Sequence, residues 1–263
     1  MSRQNYYARR TARQRRRVEE ALVAELVIEE RKIQPRLGTR KLHFMLKGVL
    51  AEAGVALGRD RFFEVLRGRD LLLERQPAEY PCATNADHCL PVFTNRIKDL
   101  EVIKANEVWV GDLTYLRTDE GFLYLALLTD KRSRKVVGYH CGDTLEAEGC
   151  LAALNKALAQ MPVGARPIHH SDRGTQYCCH EYVNRLVAEG LSISMTETNH
   201  CAENALAERM NGILKSEYGL GRRFKTKADA QVAVDQGVHL YNTRRPHTAL
   251  GYWTPEAMHS LAV

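Results

Sequence analysis

Apolar positions recur at helical spacing through the first third of the chain and gather into short β-rich runs after it. From about Arg17 to Lys32, Val18, Leu22 and Leu26, with Val23 and Val27 beside them, form a stripe of helical period. Pro35, Leu37 and Gly38 end it. A second periodic run, Leu42, Met45, Leu46, Val49, Leu50 and Ala53, stops at Gly54, where a glycine suits the left-handed residue that follows a helix. After a turn over Val55–Gly58, Phe62, Val65 and Leu66 mark the buried face of a third helix. Two short helices joined by such a turn, with Arg40, Lys41, Arg59 and Arg61 on the outside, predict a helix-turn-helix. Small helical bundles of other kinds share this pattern.

Residues 75–106 are polar and irregular, with Pro77, Pro81 and Pro91, and read as a linker. The character then changes. Val108–Tyr115, Phe122–Leu128 and Lys135–His140 are short runs of β-branched, aromatic and aliphatic residues parted by turn signals, which predicts a three-stranded meander. A helix over Glu146–Gln160, a strand at Arg166–His170, a helix around Glu181–Glu189 and a strand at Leu191–Met195 follow. A long helix from about Asn204 to Tyr218 and a last one from about Lys227 to Tyr241 complete the pattern. Strands followed by alternating helices and strands imply an α/β domain with a mixed five-stranded, partly parallel sheet and flanking helices, preceded by a small all-α domain. The expected division is a basic arm and helix at 1–34, a helix-turn-helix at 35–74, a linker at 75–106, a core at 107–220, and a C-terminal helix and tail completing it at 221–263.

Composition narrows the function classes. With 44% hydrophobic and 27% charged residues, the 263-residue chain can bury a sizeable core. No run of 18 apolar residues predicts a transmembrane helix, and no apolar run follows the first arginines as a secretory signal would require. Seven scattered cysteines read as reduced thiols of a cytoplasmic protein. The charge of +6 is uneven: residues 1–80 hold 18 Lys/Arg against 11 Asp/Glu, and the remainder 20 against 21. Residues 1–17 contain seven arginines and no acid. A cationic arm on a near-neutral body points to a polyanionic partner, or to a solubilising tail.

Three acids are candidates for chemistry. Asp112 lies near the end of the first strand, Asp172 just past the fourth, and Glu208 one turn into the long helix. Open α/β sheets bind ligands at the carboxyl ends of their strands, so both aspartates are expected at one crevice, with Glu208 reaching it if the helix crosses the sheet edge. Converging carboxylates repel unless a cation neutralises them, and hard oxygen donors suit Mg²⁺ or Mn²⁺. Each acid also has a plainer reading, as a turn or cap residue or an exposed helical carboxylate, and Asp119, Asp130, Asp143, Glu203 and Glu217 compete. Spacing alone does not choose among them. Cys178–Cys179–His180 and Cys82 with His88–Cys89 lack the paired spacing of a zinc site. His169 and His170 read equally as core histidines.

Four strings carry a resemblance: WVGDLTYLRTDEGFLYLALLTDKRSRKVVGY, HHSDRGTQY, ENALAERMNGILKSE and YNTRRPHTALGYWTP. Together, in this order, they resemble the integrase catalytic core of insertion-sequence transposases, specifically the second-frame (open reading frame B) proteins of the IS-three family, over about residues 36–258. The resemblance implies a ribonuclease-H-like fold and an Asp-Asp-Glu triad at Asp112, Asp172 and Glu208. Thirty-five residues lie between the last two, the family's spacing. Trp109, Thr114 and Tyr115 complete the string around the first Asp. Lys215, seven residues after Glu208, falls where the family places a DNA-contacting base, two turns along the same helix face. Glu203 stands where the family usually has Asp. The Arg245–Pro246–His247 string also matches, and a structural helix-end role is expected for it.

The resemblance further implies a DNA transposase that cleaves element ends and transfers strands by 3′-hydroxyl attack on a phosphodiester, with two Mg²⁺ ions (Mn²⁺ substituting) held by the triad. It implies DNA as partner, homo-oligomers on DNA, a first-frame protein as helper, and a place on the bacterial nucleoid in the cytoplasm. Two other readings stay open here: a ribonuclease-H-like nuclease that uses only water, and a catalytically inactive DNA-binding regulator of transposase descent.

Overall fold

The computed structural model describes residues 3–74, 89–197 and 203–261. They fall into two compact units, Met1–Pro77 and Ala78–Val263.

The first unit is all helical: α1 (Arg3–Ile33), α2 (Thr39–Glu52) and α3 (Arg59–Gly68). Val23 and Val27 of α1 meet Leu42, Leu46 and Leu50 of α2 and Phe62, Val65 and Leu66 of α3 around one small core. Helix α1 starts far earlier than its apolar stripe. Residues 3–18 are exposed on every side, Val18 included. Arginine is a good helix former, and an exposed helix leaves no apolar periodicity to read. Gly54 ends α2 with φ +74°, the left-handed conformation expected of it.

The second unit is an α/β/α sandwich. Strands β1 (Val108–Thr118), β2 (Gly121–Asp130) and β3 (Val136–Gly142) form the antiparallel meander. Helix α4 (Ala147–Ala159) leads to β4 (Ile168–Ser171), then α5 (Thr175–Cys178), α6 (His180–Ala188) and β5 (Ser192–Met195). The sheet order is β3-β2-β1-β4-β5, with β1, β4 and β5 parallel. Helix α7 (Ala205–Glu217), the two-residue β6 (Arg223–Phe224) on β1, α8 (Lys227–Thr243) and α9 (Pro255–Leu261) follow. The five-stranded mixed sheet with flanking helices is the expected fold class; β6 and α9 are additions, too short for periodicity to reveal.

The apolar run of β2 is continuous because both of its faces are buried. Ala126 and Leu128 face α4 and α6, while Leu123, Leu125 and Leu127 face α7 and α8. Gly138 sets the spacing of α4 on β3, since a Cβ there would lie 2.2 Å from the Ala153 carbonyl oxygen. Residues 89–106 lie against the core: Ile97 is buried, and the Arg96 N–H donates to Ser194 Oγ at 2.9 Å. Of the stretch read as linker, residues 75–88 lie outside the described residues.

Candidate active site

Sheet register brings the two aspartates together. Val108, Trp109 and Val110 pair in parallel with Ile168, His169 and His170, so Asp112 and Asp172 each lie two residues beyond the last pair, near enough for their charges to act on each other. Strand β4 ends at Ser171, where the Gly174 N–H donates to Asp172 Oδ1 at 3.0 Å and turns the chain away. From that point β1 keeps its partner β2 on one side, while its other edge is unpaired by any strand until β6 joins at Arg117. Asp112 therefore sits in the middle of β1, not near its end: the hairpin with β2 carries β1 on to Thr118. It is nevertheless at the end of the parallel part, where open sheets bind ligands.

Helix α7 runs along the open edge and addresses it with one stripe. Asn204, just before the helix, donates to the Gly111 carbonyl at 3.2 Å. Asn211 Nδ2 donates to Asp112 Oδ2 at 2.7 Å. Lys215 Nζ lies 4.9 Å from the centroid of the Tyr115 ring. Glu208 belongs to the same stripe, three residues before Asn211, and is exposed. Glu203 takes up its longer side chain by accepting from Asn95 Nδ2 at 2.9 Å and from the Glu197 N–H at 2.5 Å, which ties the approach to α7 to the end of β5.

Electrostatics separate the three acids. Burial, the charge of Asp172, and more weakly that of Glu208 push the Asp112 carboxyl up to about 7, against bonds from Asn211 and the Leu113 N–H that pull it down. Asp112 and Asp172 thus lie close enough for the charge of one to act on the other. Glu208 acts on Asp112 as a weaker charge, and among the described residues no three carboxylates, histidines or cysteines stand close enough to ligate one ion. The aspartate pair fits a divalent cation in its hard oxygen donors and in the mutual repulsion that a cation would relieve. Lys215 has its pKa lowered by burial, with the Asp112 carboxylate acting against that.

Under the aspartates the core is neutral. Burial drives His169 down to about 3 and His170 to about 4. His169 Nε2 meets the Tyr182 hydroxyl and His170 Nδ1 meets Ser194 Oγ, each at 2.9 Å. They are core histidines. Arg245, only 3% exposed, grips Glu217 at the last residue of α7 with two bonds of 2.8 Å. That is the helix-end role expected of its string. Cys178 packs on Met195 in the core, and Cys82, His88 and Cys201 lie outside the described residues.

In the helical unit, Arg40 is exposed and Lys41 half-buried on α2. Arg59 opens α3 and pairs with Asp60 at 2.9 Å. Arg61 is bound to Glu64 of its own helix and to Glu20 of α1, so it ties α3 to α1. Tyr115, Asn204 and Asn211 all stand in the motif strings, yet nothing in the sequence marks them as site residues. Their signal is a contact with a distant strand or helix.

The integrase core domain family matches residues 103–201, and a second description of the same domain matches 189–255. An insertion element IS600 uncharacterized 31 kDa protein of Shigella sonnei is 35% identical over 98% of this chain and 94% of its own length. This chain belongs to the IS3-family transposases. Transposase InsF for insertion sequence IS3A, from Escherichia coli, is 36% identical over 64% of this chain, a match spanning 59% of that relative's length. In fold, the chain is similar to a simian T-cell lymphotropic virus intasome chain, solved with PP2A regulatory subunit B56 gamma. The TM-score is 0.52 at 18% identity, covering 84% of this chain and 74% of that one. The fold is thus that of integrase cores, and the chain's class is DNA transposition by polynucleotidyl transfer. Among the described residues no helix is long and apolar enough to cross a membrane.

Proposed function

We propose that the chain cuts insertion-sequence ends and joins the freed strand to a second phosphodiester, with Asp112, Asp172 and Glu208 as its acidic residues. The observation that carries this reading is the meeting of Asp112 and Asp172 at the point where β1 loses its partner β4, with the Glu208 stripe of α7 alongside. Bound there, divalent ions (Mg²⁺, with Mn²⁺ able to substitute) would supply the positive charge that the attacking and leaving oxygens of a phosphoryl transfer require.

The chain's own groups do the rest. Asn211 and the Leu113 N–H fix both oxygens of the Asp112 carboxylate, and the Gly174 N–H fixes one of Asp172. A carboxylate held in this way presents its remaining lone pairs in one direction. Lys215 puts a cation beside the open β1 edge, where a backbone phosphate of the DNA is held and its charge offset. The neutral His169 and His170 of β4 add no competing charge. In strand transfer the nucleophile is a DNA 3′-hydroxyl, so the mechanism needs no side-chain nucleophile and forms no protein–DNA bond.

Exposed arginines of α1 and Arg40, Lys41 and Arg59 of the helical unit are the proposed phosphate contacts for end recognition. Two ends must be held at once, so we propose a homo-oligomer on DNA, assisted by a first-frame protein, at the bacterial nucleoid. The decisive test incubates the full chain, with and without a first-frame partner, with labelled element ends and Mg²⁺. Joined strands that disappear in Asp172→Asn are the expected result. Cut ends without joining would indicate a nuclease, and bound but unaltered DNA a regulator.

A further inference from the structure

The unpaired edge of β1 does not end at Asp112. Three residues along, about 10 Å at strand spacing and on the sheet face opposite to Asp112, Tyr115 lies 5.3 Å from Phe122 of β2, the two rings meeting edge to face at 82°. Phe122 is 52% exposed, a large aromatic surface on the solvent side of a hairpin that otherwise feeds the core. Lys215 stands over Tyr115. Arg117 is the register partner of Phe122, and it lies close enough to Lys215 for the two positive charges to act on each other.

The cations continue beyond this point. Arg117 pairs in register with Arg223 of β6, and Arg222, Arg223 and Lys225 are all exposed. The acids of the hairpin turn are engaged: Asp119 binds Arg223 at 2.6 Å, and Glu120 accepts the Lys227 N–H at 2.7 Å. The near-neutral total of this half of the chain conceals a local basic rim. An aromatic platform with a basic rim is the chemistry of single-stranded nucleic acid, where bases stack on rings and phosphates meet Lys and Arg. A base stacked within a duplex has no free face for such a platform, so its occupant is a base out of the helix.

We infer that the Tyr115–Phe122 pair, flanked by Lys215 and Arg117, seats one unpaired nucleobase a nucleotide or two from the phosphodiester held at Asp112 and Asp172. This rests on the transposase reading and adds to it a requirement: the DNA end must fray for its scissile phosphate to reach the open edge. A base gripped there holds the frayed strand where it passes round the open β1 edge, beside Lys215, which lies near both Tyr115 and Asp112.

The experiment uses the full chain and a duplex of the element's terminal repeat carrying 2-aminopurine at either nucleotide flanking the cut. Fluorescence is read in Ca²⁺, and cleavage is then started with Mg²⁺. Wild-type protein quenches the probe at one of the two positions by stacking. Phe122→Ala restores the fluorescence and slows cleavage about tenfold, with an unchanged urea midpoint, while Phe122→Trp retains quenching and cleavage. Equal fluorescence and equal cleavage in wild type and Phe122→Ala would overturn the platform alone. A wild-type protein that leaves the ends uncut even with the first-frame partner supplied overturns the transposase reading, and the platform with it.

Discussion

Replacing Asp112 by Asn tests whether the candidate site is held together against its own charge. The Asp112 carboxyl rises from 3.8 to about 7 on folding, chiefly through burial and then through Asp172. A carboxylate raised in this way opposes folding: the native state keeps a proton that the unfolded chain has released, so its contribution to stability falls as pH climbs from about 4 to about 7 and stays lost above that. The whole effect is on the order of 4 kcal/mol at pH 8 and less than half of that at pH 5. Asn removes it at both. The substitution also leaves a single acceptor for the Leu113 N–H and Asn211 Nδ2, which costs about 1 kcal/mol. Asn211 Oδ1 has no partner among the described residues, and rotation of its amide lets it accept from the new amide nitrogen. The variant is therefore expected to be about equal to wild type at pH 5 and about 2–3 kcal/mol more stable at pH 8, in EDTA. Urea unfolding followed by the fluorescence of Trp109, which is fully buried in this core, measures the difference. The wild-type curve alone would mislead, because His169 and His170, depressed to about 3 and 4, make stability rise with pH from about 4 to 6.5. Subtracting variant from wild type cancels them. Magnesium at pH 8 should stabilise wild type and not Asp112→Asn. Parallel pH curves for the two proteins in EDTA would refute the reasoning.

Three further outcomes follow from the same geometry. Glu208→Gln, at an exposed position, should shift the urea midpoint by no more than about 0.5 kcal/mol yet abolish strand joining; a variant that still joins strands removes Glu208 from the triad. Arg245→Met removes both bonds from the buried guanidinium to Glu217 and should cost about 2 kcal/mol, part of it recovered in the double variant with Glu217→Leu, as urea titration of all three proteins will show. Gly138→Ala forces α4 off β3 and should cost about 3 kcal/mol; a wild-type melting temperature would mean that α4 shifts without strain.

Where local pattern and tertiary demand coincided, the fold was legible. Strand β2 has no alternation because Leu125 and Ala126 both face core, on opposite sides, and its unbroken apolar run says as much. The outer half of α1 was not legible, since a helix exposed on all sides has no face to mark. Helix α9 is too short to show a period, and what anchors it is non-local, with His259 Nδ1 meeting Ser133 Oγ at 2.9 Å, and Ser133 in turn held by the buried Asp130. Asp130 had stood among the acids competing for a catalytic role. Its two oxygens are taken up by the Ser133 and Asn106 N–H groups and the Ser133 hydroxyl, which makes it a fastening for the β2–β3 turn.

The site divides along the same line. The aspartates follow from parallel register, a property that strand order alone implies. What no one-dimensional reading supplies is the helix stripe that serves them. Asn204, Glu208, Asn211 and Lys215 are spaced for one face of α7, but so are its core residues Met210 and Leu214. Only the unpaired stretch of β1 distinguishes the two faces. A strand that keeps a neighbour along its whole length needs apolar cover, whereas one that loses its neighbour at Val110 exposes backbone and side chains that only polar or charged groups satisfy. The break in pairing is what makes this edge polar, and Asp112, two residues past it, is the first residue whose side chain the polar stripe of α7 engages. Restoring the pairing there would close the site without touching an acid.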